Sequence, residues 1–247
     1  MTKYFEILGR IRNGQNSSPN WYYHIFTKHI SCHITAIMYF WDIKPDNVTF
    51  SMFGFGFIGA GFYTTGTDTG YIIGSIFFLL LNIADTSDGE LARLVNKTSN
   101  FGEYLDRLCH YFTNSLMCLA LGLGLYNSTG EVFFLYLSFI SCASYVLDDA
   151  SKDLLFLIDS QNDLTRSAGA HSVSLSKNSK VKMTLLHLFA HSSVWHILPV
   201  IVGLGAVLPN FNFLIFSGHV WYIIIFLAVL PFKMLFRLAQ ISKKYRS

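Results

Sequence analysis

Apolar runs alternate with short polar breaks along this chain, at a spacing that suits a bilayer. A helix needs about 20 mostly apolar residues to cross the hydrocarbon core. Six segments meet that pattern, near 48–65, 71–91, 104–126, 131–148, 184–207 and 211–232. The breaks "TTGTDTG", "YNSTGE" and "LPNFN" are rich in turn formers. An earlier segment, 18–43, mixes His, Lys and aromatics with apolar residues, which predicts a helix lying in the interface rather than a seventh span. The expected fold is therefore all-α: a polytopic membrane protein with six transmembrane helices and an N-terminal interfacial helix. The chain reads as one domain over 1–247. Residues 1–44 form a cytoplasmic or interfacial segment, 45–232 the six-helix bundle and 233–247 a basic cytoplasmic tail.

Composition agrees. Hydrophobic residues make up 52% of the chain and charged residues 13%, with a mean hydropathy of +0.40. A soluble domain carries about 25% charged residues. The opening "MTKYFEILGRIRNGQNSS" has no compact apolar core followed by a small-residue cleavage site, so no cleaved signal peptide is expected. Cys32, Cys109, Cys118 and Cys142 form no C-x-x-C pair and read as small hydrophobes.

The basic residues add orientation. All 18 lysines and arginines fall before the first span, at the second-to-third junction, between spans four and five, or after span six. The loops "YTTGTDTG", "YNSTGE" and "AVLPNFN" contain none. The positive-inside rule then predicts a multi-pass protein, of the plasma (inner) membrane, with both termini and the functional end cytoplasmic. The same distribution gives no groove-like basic patch, so nucleic acid is not an expected partner. The stretch from Asp148 to Met183 reads as a solvated loop whose basic residues (Lys152, Arg166, Lys177, Lys180 and Lys182) attract anionic lipid or a phosphate-bearing substrate. Gly54, Gly56, Gly59 and Gly61 give span one a small-residue face for close packing, with a homodimer contact as one use of it.

The chemistry concentrates in "NIADTSDGELARLVNKTSNFGEYLDRLCHY", residues 82–111. Asp85 and Asp88 are three apart and share a face of span two. Gly89 permits close approach to the backbone, and Arg93 is available to phosphate. Gly102 marks the turn into span three, where Asp106 and His110 are four apart on one face. If the two spans are antiparallel neighbours, three carboxylates converge at the membrane boundary. Each acid there costs roughly 2.5 kcal/mol or more, and like charges oppose one another's ionisation. A hard divalent cation relieves both problems. Oxygen ligands point to magnesium, manganese or calcium rather than zinc.

The pattern Asp-x2-Asp-Gly-x2-Ala-Arg-x8-Gly-x3-Asp resembles the motif of the CDP-alcohol phosphotransferase family, with Asp85, Asp88, Gly89, Ala92, Arg93, Gly102 and Asp106 matching. "KPDNVTF" resembles the family's entry to its first span through Pro45, Val48 and Thr49, with Asp46 in place of Asn. The resemblance implies a six-helix transferase. Asp85, Asp88 and Asp106 would bind Mg2+ or Mn2+, and Asp85, Gly89, Ala92, Arg93 and Gly102 would hold the CDP nucleotide. The implied partners are a CDP-linked donor (CDP-diacylglycerol or a soluble CDP-alcohol), a lipid or small-alcohol acceptor, and membrane lipids. The implied reaction moves a substituted phosphate group to the acceptor hydroxyl and releases CMP, in phospholipid or lipid-linked glycan synthesis. A catalytically inactive CDP-binding subunit and a transporter with an acidic cation site are the alternatives.

The family places a fourth Asp, the general base, four residues after the third. This chain has His110 there. Three readings are open: His110 is the base, His110 is a metal ligand, or the site binds without transferring. The first is preferred. Neutral imidazole suits proton abstraction near pH 7, and it places one fewer negative charge beside three acids. The pairs His29/His33 and His187/His191 lack an evident third ligand and read as interface or interhelical polar groups. Glu103, Asp148 and Asp153 read as ordinary helix-end or loop charges.

Overall fold

The computed structural model describes residues 2–15, 27–169, 193–207, 212–213 and 216–245. Eight helices are found among them: α1 (Thr2–Asn13), α2 (Lys28–Phe40), α3 (Pro45–Tyr63), α4 (Asp68–Leu94), α5 (Asn100–Thr129), α6 (Phe133–Gly169), α7 (Ser193–Val207) and α8 (Gly218–Tyr245). A two-residue antiparallel pairing, Asn212 opposite Ser217 and Phe213 opposite Phe216, occupies the start of the expected sixth span, whose helix begins at Gly218 rather than at 211. The architecture is otherwise helical. His187 and His191, with Lys177, Lys180 and Lys182, lie outside the described residues.

Local chemistry sets the helix ends. Pro45 starts α3, where its missing N–H costs nothing. The Thr67 hydroxyl accepts from the Gly70 N–H at 3.1 Å and caps α4. Gly130, at φ +77°, closes α5 in the left-handed conformation. α3 packs on α4 and α5, α5 on α6, α4 on α7, and α6 on α8. The shared core includes Met52, Tyr63, Tyr71, Leu121 and Leu125, all buried. Within it the Tyr63 and Ser75 hydroxyls hydrogen-bond at 2.9 Å.

The four glycines of α3 divide into two pairs. A Cβ on Gly56 would lie 2.5 Å from Thr113 Cγ2, and one on Gly59 would lie 3.0 Å from Phe78 Cδ2. These two let α5 and α4 approach closely. Gly54 and Gly61 have open space before them.

Three described helical stretches are long and apolar enough to cross a membrane: Asp68–Leu94, Asn100–Thr129 and Phe133–Leu155. Leu198–Val207 is a shorter apolar helix. At 19 residues α3 has the length, but its glycines and the polar start "PDNVT" dilute its hydropathy.

Two further elements differ from the sequence expectation. The loop expected from Asp148 is helical as far as Gly169, because the 37-residue α6 contains no Gly or Pro before its last residue. At 1.5 Å per residue it is about 55 Å long, well beyond a bilayer core. The N-terminal segment holds two helices rather than one. Ile7, Leu8 and Ile11 of α1 are buried with Cys32 and Ala36 of α2 and Leu94 of α4. The apolar face of α1 therefore packs on protein.

Candidate active site

The end of α4 and the start of α5 face each other across a tight reversal. Val95 ends α4, Asn96 takes φ +53°, and the Ser99 hydroxyl accepts from the Gly102 N–H at 3.0 Å to start α5. Asn is among the few residues that tolerate that left-handed φ. The turn is thus residues 95–99, and Gly102 belongs to the first turn of α5 rather than to the reversal itself.

This reversal brings the motif acids together. Asp85 Oδ1 lies 3.0 Å from His110 Nε2, and Asp106 Oδ1 lies 3.5 Å from the same nitrogen. One ligand atom each from Asp85, Asp106 and His110 fall within 4.8 Å of one another. Asp106 Oδ1 is buried without a hydrogen-bond partner among the described residues. Two carboxylates and an imidazole, with an orphaned carboxylate oxygen, fit a divalent cation. Asp88 stands slightly apart. It is 8% exposed, and its Oδ2 accepts from the Thr49 hydroxyl at 2.8 Å. Thr49 of the span-one motif thus fixes the second acid of the α4 motif.

Two cavities flank the cluster. One, of about 470 Å³, is lined by Asp88, Gly89, Ala92, Arg93, Gly102 and Asp106, with Asp46, Thr49 and Lys97. The four residues expected at the nucleotide besides Asp85 therefore share one cavity. Asp85 does not line it. The other cavity, of about 310 Å³, is lined by Asp85, His110, Asn82, Arg107, Tyr111, Asn114, Tyr145 and Lys152, among others. Gly89 acts less directly than its spacing suggests. A Cβ there would lie 3.3 Å from Arg93 Nη1, so the guanidinium reaches back over the glycine.

The second cavity holds groups that the sequence reading passed over. The Tyr145 hydroxyl donates to the His110 carbonyl at 3.2 Å and accepts from Asn114 Nδ2 at 3.0 Å. Asp153 pairs with Arg107 and accepts from the Tyr111 hydroxyl at 3.0 Å. Asp148 is no loop charge. It is 3% exposed and meets Lys152 at 3.2 Å, Lys233 at 3.4 Å, and Arg237. The continued helix of α6 is what places Asp149, Lys152 and Asp153 at the cavity, which Asp148 itself does not line. The lysine and aspartate spacing in "DDASKD" was the available signal.

A helical membrane-type scaffold with a carboxylate–imidazole cluster between two polar cavities defines a class of membrane-embedded protein. The comparison with known families makes this specific: residues 44–208 match the CDP-alcohol phosphatidyltransferase family, and the chain belongs to it. An uncharacterized protein of Aquifex aeolicus (strain VF5) is 32% identical over 104 residues, which is 42% of this chain and 51% of that protein. The chain spans about half the length of this curated relative.

Proposed function

We propose that the chain is an integral membrane transferase that moves a substituted phosphate group from a CDP-linked donor to an acceptor hydroxyl, releasing CMP, in phospholipid or lipid-linked glycan synthesis. One observation carries this reading: the acid cluster stands between two cavities, one lined by the nucleotide motif and the other by His110. Arg93 and Lys97 offer cationic groups to a pyrophosphate in the first. The second offers an acceptor alcohol the Asn82, Asn114 and Tyr111 side chains beside the imidazole.

In transfer, the acceptor oxygen bonds to the phosphorus next to the donor's alcohol unit. The bond from that phosphorus to the oxygen leaving with CMP breaks, and the acceptor proton passes to His110. In the tautomer that donates Nε2–H to Asp85, Nδ1 is the nitrogen left to accept it. A divalent ion, Mg2+ or Mn2+, held by Asp85, Asp88 and Asp106 would neutralise charge on the donor's pyrophosphate. A specific observation favours a second role for the imidazole. His110 falls in the compact ligand set with Asp85 and Asp106, so it is also placed to serve as a metal ligand.

The six-span topology in this reading uses α3 to α8, with the basic connections and the site on the cytoplasmic side of the plasma membrane. Gly54 and Gly61 leave α3 a face where a second copy could approach closely.

The test is CMP release by the purified protein with Mg2+, supplying CDP-diacylglycerol or CDP-linked small alcohols against a panel of acceptors. Release with one donor and acceptor pair is expected. No release from any pair, with CDP compounds still raising thermal stability, would favour a binding subunit instead.

Gly89→Ala probes the nucleotide cavity. Alanine in a helix interior is more favourable than glycine by about 0.5–1 kcal/mol, so the unfolding temperature should not drop. The Arg93 guanidinium must shift by a few tenths of an ångström. The expected result is weaker stabilisation by CDP, read as a rightward move in its concentration dependence. An unchanged CDP response would count against Arg93 as a nucleotide contact.

A further inference from the structure

Glu90 is a buried carboxylate that the transfer step leaves unused. It is 3% exposed and lies two residues past Asp88, on a different face of α4. Its Oε1 accepts from Gln15 Nε2 at 2.6 Å and from the Ser31 hydroxyl at 2.9 Å. Its Oε2 accepts from the Thr35 hydroxyl at 2.9 Å. Ser31 and Thr35 are one turn apart on α2, so one face of that helix presents both hydroxyls. Gln15 also donates to the Lys28 carbonyl at 3.2 Å, tying the end of α1 to the start of α2. Burying a carboxylate among neutral donors is costly unless its acceptor positions are filled, and here three donors fill them.

This polar lock interrupts an otherwise apolar contact of Ile7, Leu8, Ile11, Cys32, Ala36 and Leu94. Apolar faces slide with little penalty, whereas a buried hydrogen-bonded group tolerates one register. The register matters because of what α1 faces. A small cavity of about 120 Å³ is lined by Arg10, Ile11 and Gly14 of the α1 end together with Glu90, Arg93 and Leu94. Arg93 also lines the nucleotide-side cavity. The α1 end therefore forms part of the wall behind the arginine that reaches toward the nucleotide.

We propose that Glu90 is a positioning residue: with Gln15, Ser31 and Thr35 it locks α1 and α2 onto α4 in one register, and the docked pair holds Arg93 in its nucleotide-facing position. The N-terminal helices then belong to the nucleotide site, not to a separate interfacial anchor. The inference rests on the reading of the larger cavity as the site for the CDP unit.

The experiment measures CMP release against CDP-donor concentration for the full chain and for Glu90→Gln, Arg93→Ala and the double variant. Glu90→Gln keeps shape and volume but removes the charge and one acceptor oxygen, so the charge-assisted bonds from Gln15, Ser31 and Thr35 weaken and must rearrange. The expected result is a rise of about tenfold in the KM for the donor, with the larger share of the effect in KM rather than kcat. In the Arg93→Ala background the same substitution should add almost nothing, because the residue it positions is gone. A lock that only supports folding would lower the active fraction, leave KM unchanged and act additively with Arg93→Ala, and that pattern overturns the proposal. If Glu90→Gln does not fold, Ser31→Ala with Thr35→Val carries the same criteria. Arg93→Ala with no effect on KM would sink the cavity assignment and this inference together. An Arg93→Ala effect without a Glu90→Gln effect would overturn the inference alone.

Discussion

Asp85→Asn should lower CMP release by about 10³-fold or more while leaving the fold intact. Two losses coincide at this residue. Asp85 supplies one of the three ligand atoms gathered at the cluster, and its Oδ1 lies 3.0 Å from His110 Nε2. An amide oxygen is neutral and holds a hard divalent ion more weakly than a carboxylate does. It also presents a neutral partner to an imidazole that a carboxylate would otherwise orient and charge-stabilise. Single proton-transfer groups are worth about 10²–10⁴-fold, and residues acting as a unit are not additive, so one substitution here should cost nearly as much as several. Stability should move the other way. Without a divalent ion, removing one of three neighbouring carboxylates relieves like-charge repulsion, and the variant should unfold at an equal or higher temperature. Catalytic sites store such conflicts routinely. Manganese binding followed by electron paramagnetic resonance supplies a readout independent of turnover. Activity retained within about tenfold would remove Asp85 from both roles, and manganese binding unchanged would remove it from the metal.

The convergence of Asp85, Asp106 and His110 was legible in the sequence because its geometry is local. Asp106 and His110 are four apart on one helix, and a short reversal between two helices is enough to make them meet Asp85, while Asp88 stands apart against Thr49. Helical periodicity and one antiparallel contact therefore carry most of the information. What the sequence concealed depends on partners distant in the chain. Glu90 is an unremarkable letter within the motif, and its burial follows only from Gln15, Ser31 and Thr35. Asp148 is buried by Lys233 and Arg237 from α8, far along the chain. The length of α6 was missed for a different reason. Its polar C-terminal half was read by hydropathy as a loop, although its lack of Gly and Pro argued for a continuing helix. The spacing of Ile7, Leu8 and Ile11 was a readable helical face in α1, masked by the low overall hydropathy of the segment. Motif chemistry is written along one or two helices, whereas burial is written across the whole fold.

His110→Ala and His110→Asp together should decide what the histidine does where the family pattern has an acid. If His110 is the base, the alanine variant loses about 10²–10⁴-fold in kcat and the aspartate variant restores activity to within about tenfold. The aspartate variant then carries a further mark. An unperturbed carboxylate titrates at about 3.9 and an imidazole at about 6.5, so the acid limb of the rate profile should move to lower pH in His110→Asp. If His110 is instead a ligand, the alanine variant should bind Mn2+ more weakly, recover part of its rate at high Mn2+, and keep the acid limb of the wild type. Aspartate would then shift metal preference from Mn2+ toward Mg2+, because replacing nitrogen with oxygen makes the set harder. The geometry makes the contrast sharp. The same Nε2 that lies 3.0 Å from Asp85 lies 3.5 Å from Asp106. An ion held through Nε2 would take that nitrogen from Asp85, and one held through Nδ1 would occupy the nitrogen that the proposed base needs. Base and ligand therefore compete for the same ring, and a pH-profile shift without a change in metal affinity favours the base.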